Sequence, residues 1–77
     1  MTLDQLSLKT PAKVTKISSE ATEDVFQRLV ELGVSPKQDI EILHKAPLGG
    51  DPIAARVCNN LVGIGSQEAK YIHIELA

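Results

Sequence analysis

Side chains able to do chemistry are few in this chain: His44, His73, Cys58 and Asp51, with other carboxylates scattered around them. Imidazole, thiolate and carboxylate groups can ligate a metal ion, and a thiol beside an imidazole can become a nucleophile. The spacings argue against both. His73 and Glu75 stand two residues apart, so on a strand they share one face and could jointly touch an ion. A closed zinc site needs four ligands, and the sequence has no Cys-x-x-Cys or His-x-x-x-His pair to supply them. Surface histidines are the plainer reading, with only a weak Fe2+ contact at His44 or His73 left open. Cys58 reads as a small core or surface residue beside a turn, not as half of a catalytic dyad. Glu23 and Asp24 stand where a helix begins, and compensation of the helix dipole accounts for them. Gly49-Gly50 and Gly63-x-Gly65 are too short for a phosphate-cradling loop and lack its strand-to-helix setting. The expectation is therefore a protein that acts by binding and is not an enzyme.

Two surfaces are candidates for that binding. The stretch Ala46-Pro47-Leu48-Gly49-Gly50-Asp51-Pro52 is dense in turn residues. Its prolines stiffen the chain, its glycines admit positive φ, and Asp51 can close an Asx turn. Leu48 stands at the tip. Either it anchors a partner at little entropic cost, or it folds back to plug the end of the core. The second surface is a helix over residues 22–32. Val25, Leu29 and Leu32 fall at i, i+4, i+7, and Phe26 and Val30 at i, i+4. This stripe is wide. Most of it should pack on the core, and any part left uncovered would be a partner patch.

The elements that position these residues follow from periodicity. Leu3 and Leu6 suggest a loose turn tucked onto the core, and Pro11 stops any helix there. Residues 13–19 read as a strand, with a bulge or strong twist because Val14 and Ile17 have opposite parity. The helix has Thr22 as N-cap, Gly33 as the residue after its end, and Pro36 beyond. Residues 39–46 alternate, with Ile40, Ile42 and His44 on one face and Glu41, Leu43 and Lys45 on the other. Residues 53–58 form a third strand, Asn59-Asn60 a two-residue turn, and residues 61–64 the return strand. Residues 66–69 form a helical turn capped by Ser66. Residues 71–76 form the last strand, with Ile72, Ile74 and Leu76 inward. About five short strands at this spacing predict a small mainly-β domain over residues 1–77. It is expected to be a closed or nearly closed barrel with one amphipathic helix after the first strand.

Totals restrict the partners. The 77 residues leave room for one core, and 43% hydrophobic with 23% charged residues is the composition of a folded globule. The net charge is -2, and the eight basic residues are scattered, so nothing here tracks a phosphate backbone. Two aromatic residues, Phe26 and Tyr71, make no base-stacking platform. Nucleic acid is accordingly not an expected partner. A single cysteine fits a reducing compartment. The N-terminal residues lack the pattern of a signal peptide, and no apolar run approaches the ~20 residues of a membrane span. The expected location is the cytoplasm, without membrane insertion.

Taken in order, several segments resemble a known family. They are Gln27-Arg28-Leu29-Val30-Glu31-Leu32-Gly33-Val34-Ser35-Pro36, Ile40-Glu41-Ile42, Ala46-Pro47-Leu48-Gly49-Gly50-Asp51-Pro52-Ile53, Val62-Gly63-Ile64-Gly65-Ser66-Gln67-Glu68-Ala69 and Ile72-His73-Ile74. Over essentially the whole chain this pattern resembles the FeoA family of small cytosolic partners of the FeoB ferrous iron transporter. The resemblance implies an SH3-like barrel and no catalytic residues or cofactor. It also implies contact with the cytosolic part of that transporter, which would bring the protein to the inner face of the membrane. The partner-binding residues it implies are Pro47, Leu48, Gly49, Gly50, Asp51 and Pro52 in the loop, with Leu29 and Leu32 on the helix. The same fold occurs in the C-terminal module of iron-dependent repressors. A metal-responsive regulatory module, or an adaptor for another protein, is therefore the alternative reading. Self-association stays open.

Overall fold

The computed structural model describes residues 1–45 and 52–77. A 3-10 turn, Leu3–Gln5, precedes strand β1 (Ala12–Ile17), helix α1 (Glu23–Glu31) and strand β2 (Asp39–Lys45). Strands β3 (Ile53–Val57) and β4 (Asn60–Ile64), the short helix α2 (Ser66–Ala69) and strand β5 (Ile72–Leu76) follow. The architecture is mainly β, as expected. All pairings are antiparallel, and the order in the sheet is β4-β3-β2-β1-β5. Among the described residues β4 and β5 do not pair with each other, so the sheet keeps two edges. Inward residues of all five strands, among them Val14, Ile42, Val57, Ile64 and Ile72, meet Leu3, Leu6, Leu29, Val34 and Ala69 in one buried cluster.

The helix forms as its sequence dictates. The Thr22 hydroxyl accepts from the Val25 N–H at 3.2 Å, satisfying an otherwise orphaned donor of the first turn. At the other end Gly33 takes φ +92, which an L side chain resists. Its N–H reaches the Val30 carbonyl, and the Val34 N–H reaches that of Leu29, each at 3.0 Å. This is the paired closure of a Schellman motif.

Register accounts for where the structure departs from simple alternation. The expected irregularity in β1 occurs between Val14 and Lys16. A second one, between Ile42 and His44 in β2, was not foreseen. It corrects the face of His44: past the bulge His44 opposes Ala54 and is exposed, while Lys45 opposes Ile53 on the inner side. The Lys45 ammonium then donates to the Leu6 carbonyl at 3.3 Å. The β3–β4 hairpin turns one residue earlier than expected. Val57 pairs with Asn60, so Cys58 and Asn59 make the loop, and Cys58 rather than an asparagine carries the positive φ. In that register the buried Ile64 lies opposite the buried Ile53. Leu76 follows Ile74 in parity but lies beyond the core and is exposed.

The cap of α2 is also corrected. Gly65, not Ser66, is the N-cap, and the Glu68 Oε1 atom accepts from its N–H at 3.0 Å. The other oxygen, Oε2, takes the Arg28 Nε of α1 at 2.7 Å. One largely buried carboxylate thus closes α2 and ties it to α1. Glu68→Ala is expected to lower the unfolding free energy by about 2 kcal/mol, the scale of hydrogen bonds to a charged group. Urea unfolding would measure it. A loss below about 0.5 kcal/mol would mean that water serves both donors equally well.

Candidate functional site

The apolar stripe of α1 divides into two rows. Leu29 is fully buried, and Val25 and Leu32 pack partly against the core. Phe26 and Val30, one turn apart, remain 45% and 47% exposed. They cannot share the core because the row containing Leu29 already occupies it, about 100° around the helix. Their side chains instead wall a cleft of about 350 Å³ with Lys16, Ile17, Val34, Ser35 and Pro36. Lys16 brings the one charge among these lining residues, so the cleft suits an apolar segment, with a cation at its border.

This changes which helix residues can meet a partner. Leu29 and Leu32 were the expected contacts, but Leu29 has no exposed surface and Leu32 only part of its own. The exposed pair is Phe26 and Val30. The signal for it was the stripe's excess width. Of the loop residues, Pro52 is exposed next to β3. Pro47, Leu48, Gly49, Gly50 and Asp51 lie outside the described residues.

The remaining chemical candidates are dispersed. His73 opposes Lys16 across the β1–β5 ladder, and Glu75 opposes Lys13. Lysines thus stand opposite both members of the pair that might have held an ion. Lys13 itself bonds Asp39 at 2.8 Å. That hydrogen bond and the carboxylate charge raise the Lys13 pKa above its ordinary value. Among the described residues no three His, Cys, Asp or Glu side chains gather to hold a metal. A second cleft, of about 320 Å³, is lined by Asp39, Glu41, Arg56, Cys58 and Asn59 among others. Its carboxylates are engaged by Lys13 and Arg56, and the Cys58 thiol contacts the Gln38 side chain.

A five-stranded sheet with one capped helix after β1 and an exposed apolar pair on it is the geometry to set beside known proteins. The FeoA domain model matches residues 1–76. The chain belongs to the FeoA domain family. It is similar to iron(II) transport protein A from Clostridium thermocellum, with 32% identity and a TM-score of 0.89. That match covers 100% of this chain and 46% of the other, so the chain spans under half that relative's length. It is also similar to the zinc complex of Stenotrophomonas maltophilia FeoA, with 30% identity and a TM-score of 0.82, covering 97% of this chain and 89% of that one. That FeoA is described as an SH3 domain protein, and the shared architecture makes the present fold SH3-like. T. acidophilum IdeR shares the fold alone, at 21% identity and a TM-score of 0.85, over 100% of this chain and 34% of that one. No curated protein sequence matches the chain significantly. No helix among the described residues of this FeoA domain is long and apolar enough to cross a membrane.

Proposed function

We propose that residues 1–77 act as a single accessory domain of ferrous iron transport, binding the cytosolic portion of a FeoB-type transporter without catalysis of their own. The observation that carries this reading is the Phe26–Val30 pair, held exposed over an apolar cleft by a helix that is capped at both ends. A rigid apolar pair loses little entropy on docking, as an anchor at a binding surface requires. Membership of the FeoA family supplies the transport context, and the Stenotrophomonas relative has been put forward as a ferrous iron transport activating factor. The segment from Pro47 to Pro52, Leu48 included, is the second contact in this proposal.

The test is a titration of this chain against the cytosolic portion of the ferrous transporter from the same organism, without nucleotide and with GDP or a GTP analogue. Saturable binding is expected in at least one state, and a folded Leu48→Arg variant separates the loop from the cleft. Absence of binding in every state, to the full-length transporter as well, would remove the proposal. The repressor-like fold favours one other reading, a metal-responsive regulatory module. A stoichiometric divalent-metal site found by calorimetry would support that one instead.

A further inference from the structure

Hydrogen-bond parity along β3 fixes which groups of β4 face outward. The Cys58 N–H donates to the Asp39 carbonyl at 2.9 Å, on the β2 side. Backbone groups alternate sides along an antiparallel strand, so Arg56 and Ala54 also face β2, while Val57, Ala55 and Ile53 face β4. Their partners Asn60, Val62 and Ile64 therefore use their groups inside the β3–β4 ladder. Leu61 and Gly63 aim N–H and C=O at the open edge, where no backbone partner lies among the described residues.

The two edges of the sheet are treated differently. Part of β5 is covered by the N-terminal segment: Thr2 bridges to His73, and the Ile74 N–H donates to the Met1 carbonyl at 2.8 Å. Strand β4 has no charge, no proline and no bulge, the usual devices that keep an edge from pairing.

Two residues of β4 also go unexplained by the single chain. Leu61 is 73% exposed, more than any other large hydrophobic residue described. Gly63 does not occupy the positive-φ region, and a Cβ built there would meet nothing within 4 Å. Among the described residues neither the backbone nor the packing asks for glycine, although glycine weakens a strand and commonly marks close approach by another backbone.

We propose that β4 is a self-pairing edge, on which the β4 of a second copy docks antiparallel about a two-fold axis through Val62. In that register Leu61 opposes Gly63 of the second copy, and Gly63 opposes its Leu61. Both pairs have backbone groups already aimed at one another, so four N–H···O=C bonds form. Each Leu61 side chain lies over the bare backbone of the opposing glycine. The strand is uncharged, so it meets its own copy without repulsion. A small number of backbone bonds and one covered leucine per copy give a weak dimer, with a dissociation constant on the order of 0.1–1 mM.

Cross-linking of the full chain tests the register. Residues facing each other in a non-hydrogen-bonded antiparallel pair have Cα atoms about 4.5 Å apart, within disulfide range. In a Cys58→Ser background, Val62→Cys is expected to oxidise to a covalent dimer roughly tenfold or more faster than Leu8→Cys, an exposed site away from this edge. Equal rates would overturn the proposal. Should Val62→Cys fail to fold, ultracentrifugation of two double variants decides. Leu61→Lys with Gly63→Lys is expected to be monomeric, because like charges then oppose across the axis. Leu61→Lys with Gly63→Glu is expected to dimerise at low salt, and identical behaviour of the two would overturn the register.

Discussion

Leu29→Ala is expected to lower the unfolding free energy by about 3 kcal/mol, the usual scale for truncating a fully buried leucine. Leu29 is the one residue of α1 with no exposed surface, and it carries the helix into the cluster formed by the strands. Its carbonyl also accepts from the Val34 N–H, so the packing of this residue and the closure of the helix are joined. A domain of this size has only roughly 5–10 kcal/mol of net stability, so the loss is a large fraction of the whole. Thermal unfolding should show a fall in midpoint of roughly 12–24 °C. An unchanged midpoint would mean that the helix is not docked as described.

Phe26→Ala, three residues earlier, is expected to do the opposite. About half of the Phe26 side chain is already in water, and alanine is the better helix former, so stability should change by no more than about 1 kcal/mol. Affinity for the transporter portion should fall roughly 30-fold, about 2 kcal/mol, as for an aromatic anchor at the centre of an interface. Calorimetric titration of the folded variant measures it. Affinity equal to that of the unaltered chain would place the contact elsewhere. Together the two variants separate the row that builds the fold from the row left for a partner.

Much of the fold was legible because its signals are local. Thr22, Gly33 and the apolar spacing between them define α1 with no help from the rest of the chain. The opposite parity of Val14 and Ile17 was enough to require an irregularity in β1. The misread features depend on partners distant in sequence. Ile40, Ile42 and His44 alternate as an undisturbed strand would, and only pairing with Ala54 and Ala55 reveals the bulge that turns His44 outward. Asn59-Asn60 has the chemistry of a tight turn, yet the pairing that sets Ile64 opposite Ile53 puts the turn at Cys58 and Asn59. The α2 cap falls one residue before Ser66, on Gly65, whose N–H is taken by a Glu68 carboxylate that also holds Arg28 from the distant helix. On the helix the sequence showed too much apolar surface but not which row the core would claim. That depends on how α1 lies across the sheet, which no periodicity encodes.

The strand order carries one more consequence. The β3–β4 pair closes a two-residue loop, whereas β1 and β5 meet across more than fifty intervening residues. Loop closure costs about 0.6 kcal/mol more for each doubling of length, so the second pairing bears a much larger entropic charge. It is recovered only when Val14, Ile72 and Ile74 enter the same cluster as Ile42, Val57 and Ile64. The meander β2-β3-β4 therefore closes short loops but gains its full burial only with β1 and β5 in place. Between the halves run two registered residue pairs, Ala12 with Ile40 and Lys13 with Asp39, and a few flanking backbone bonds such as those of Val14 with Lys37 and Gln38. Cooperativity in this domain therefore rests on side-chain burial shared across that narrow seam, more than on the backbone bonds that cross it.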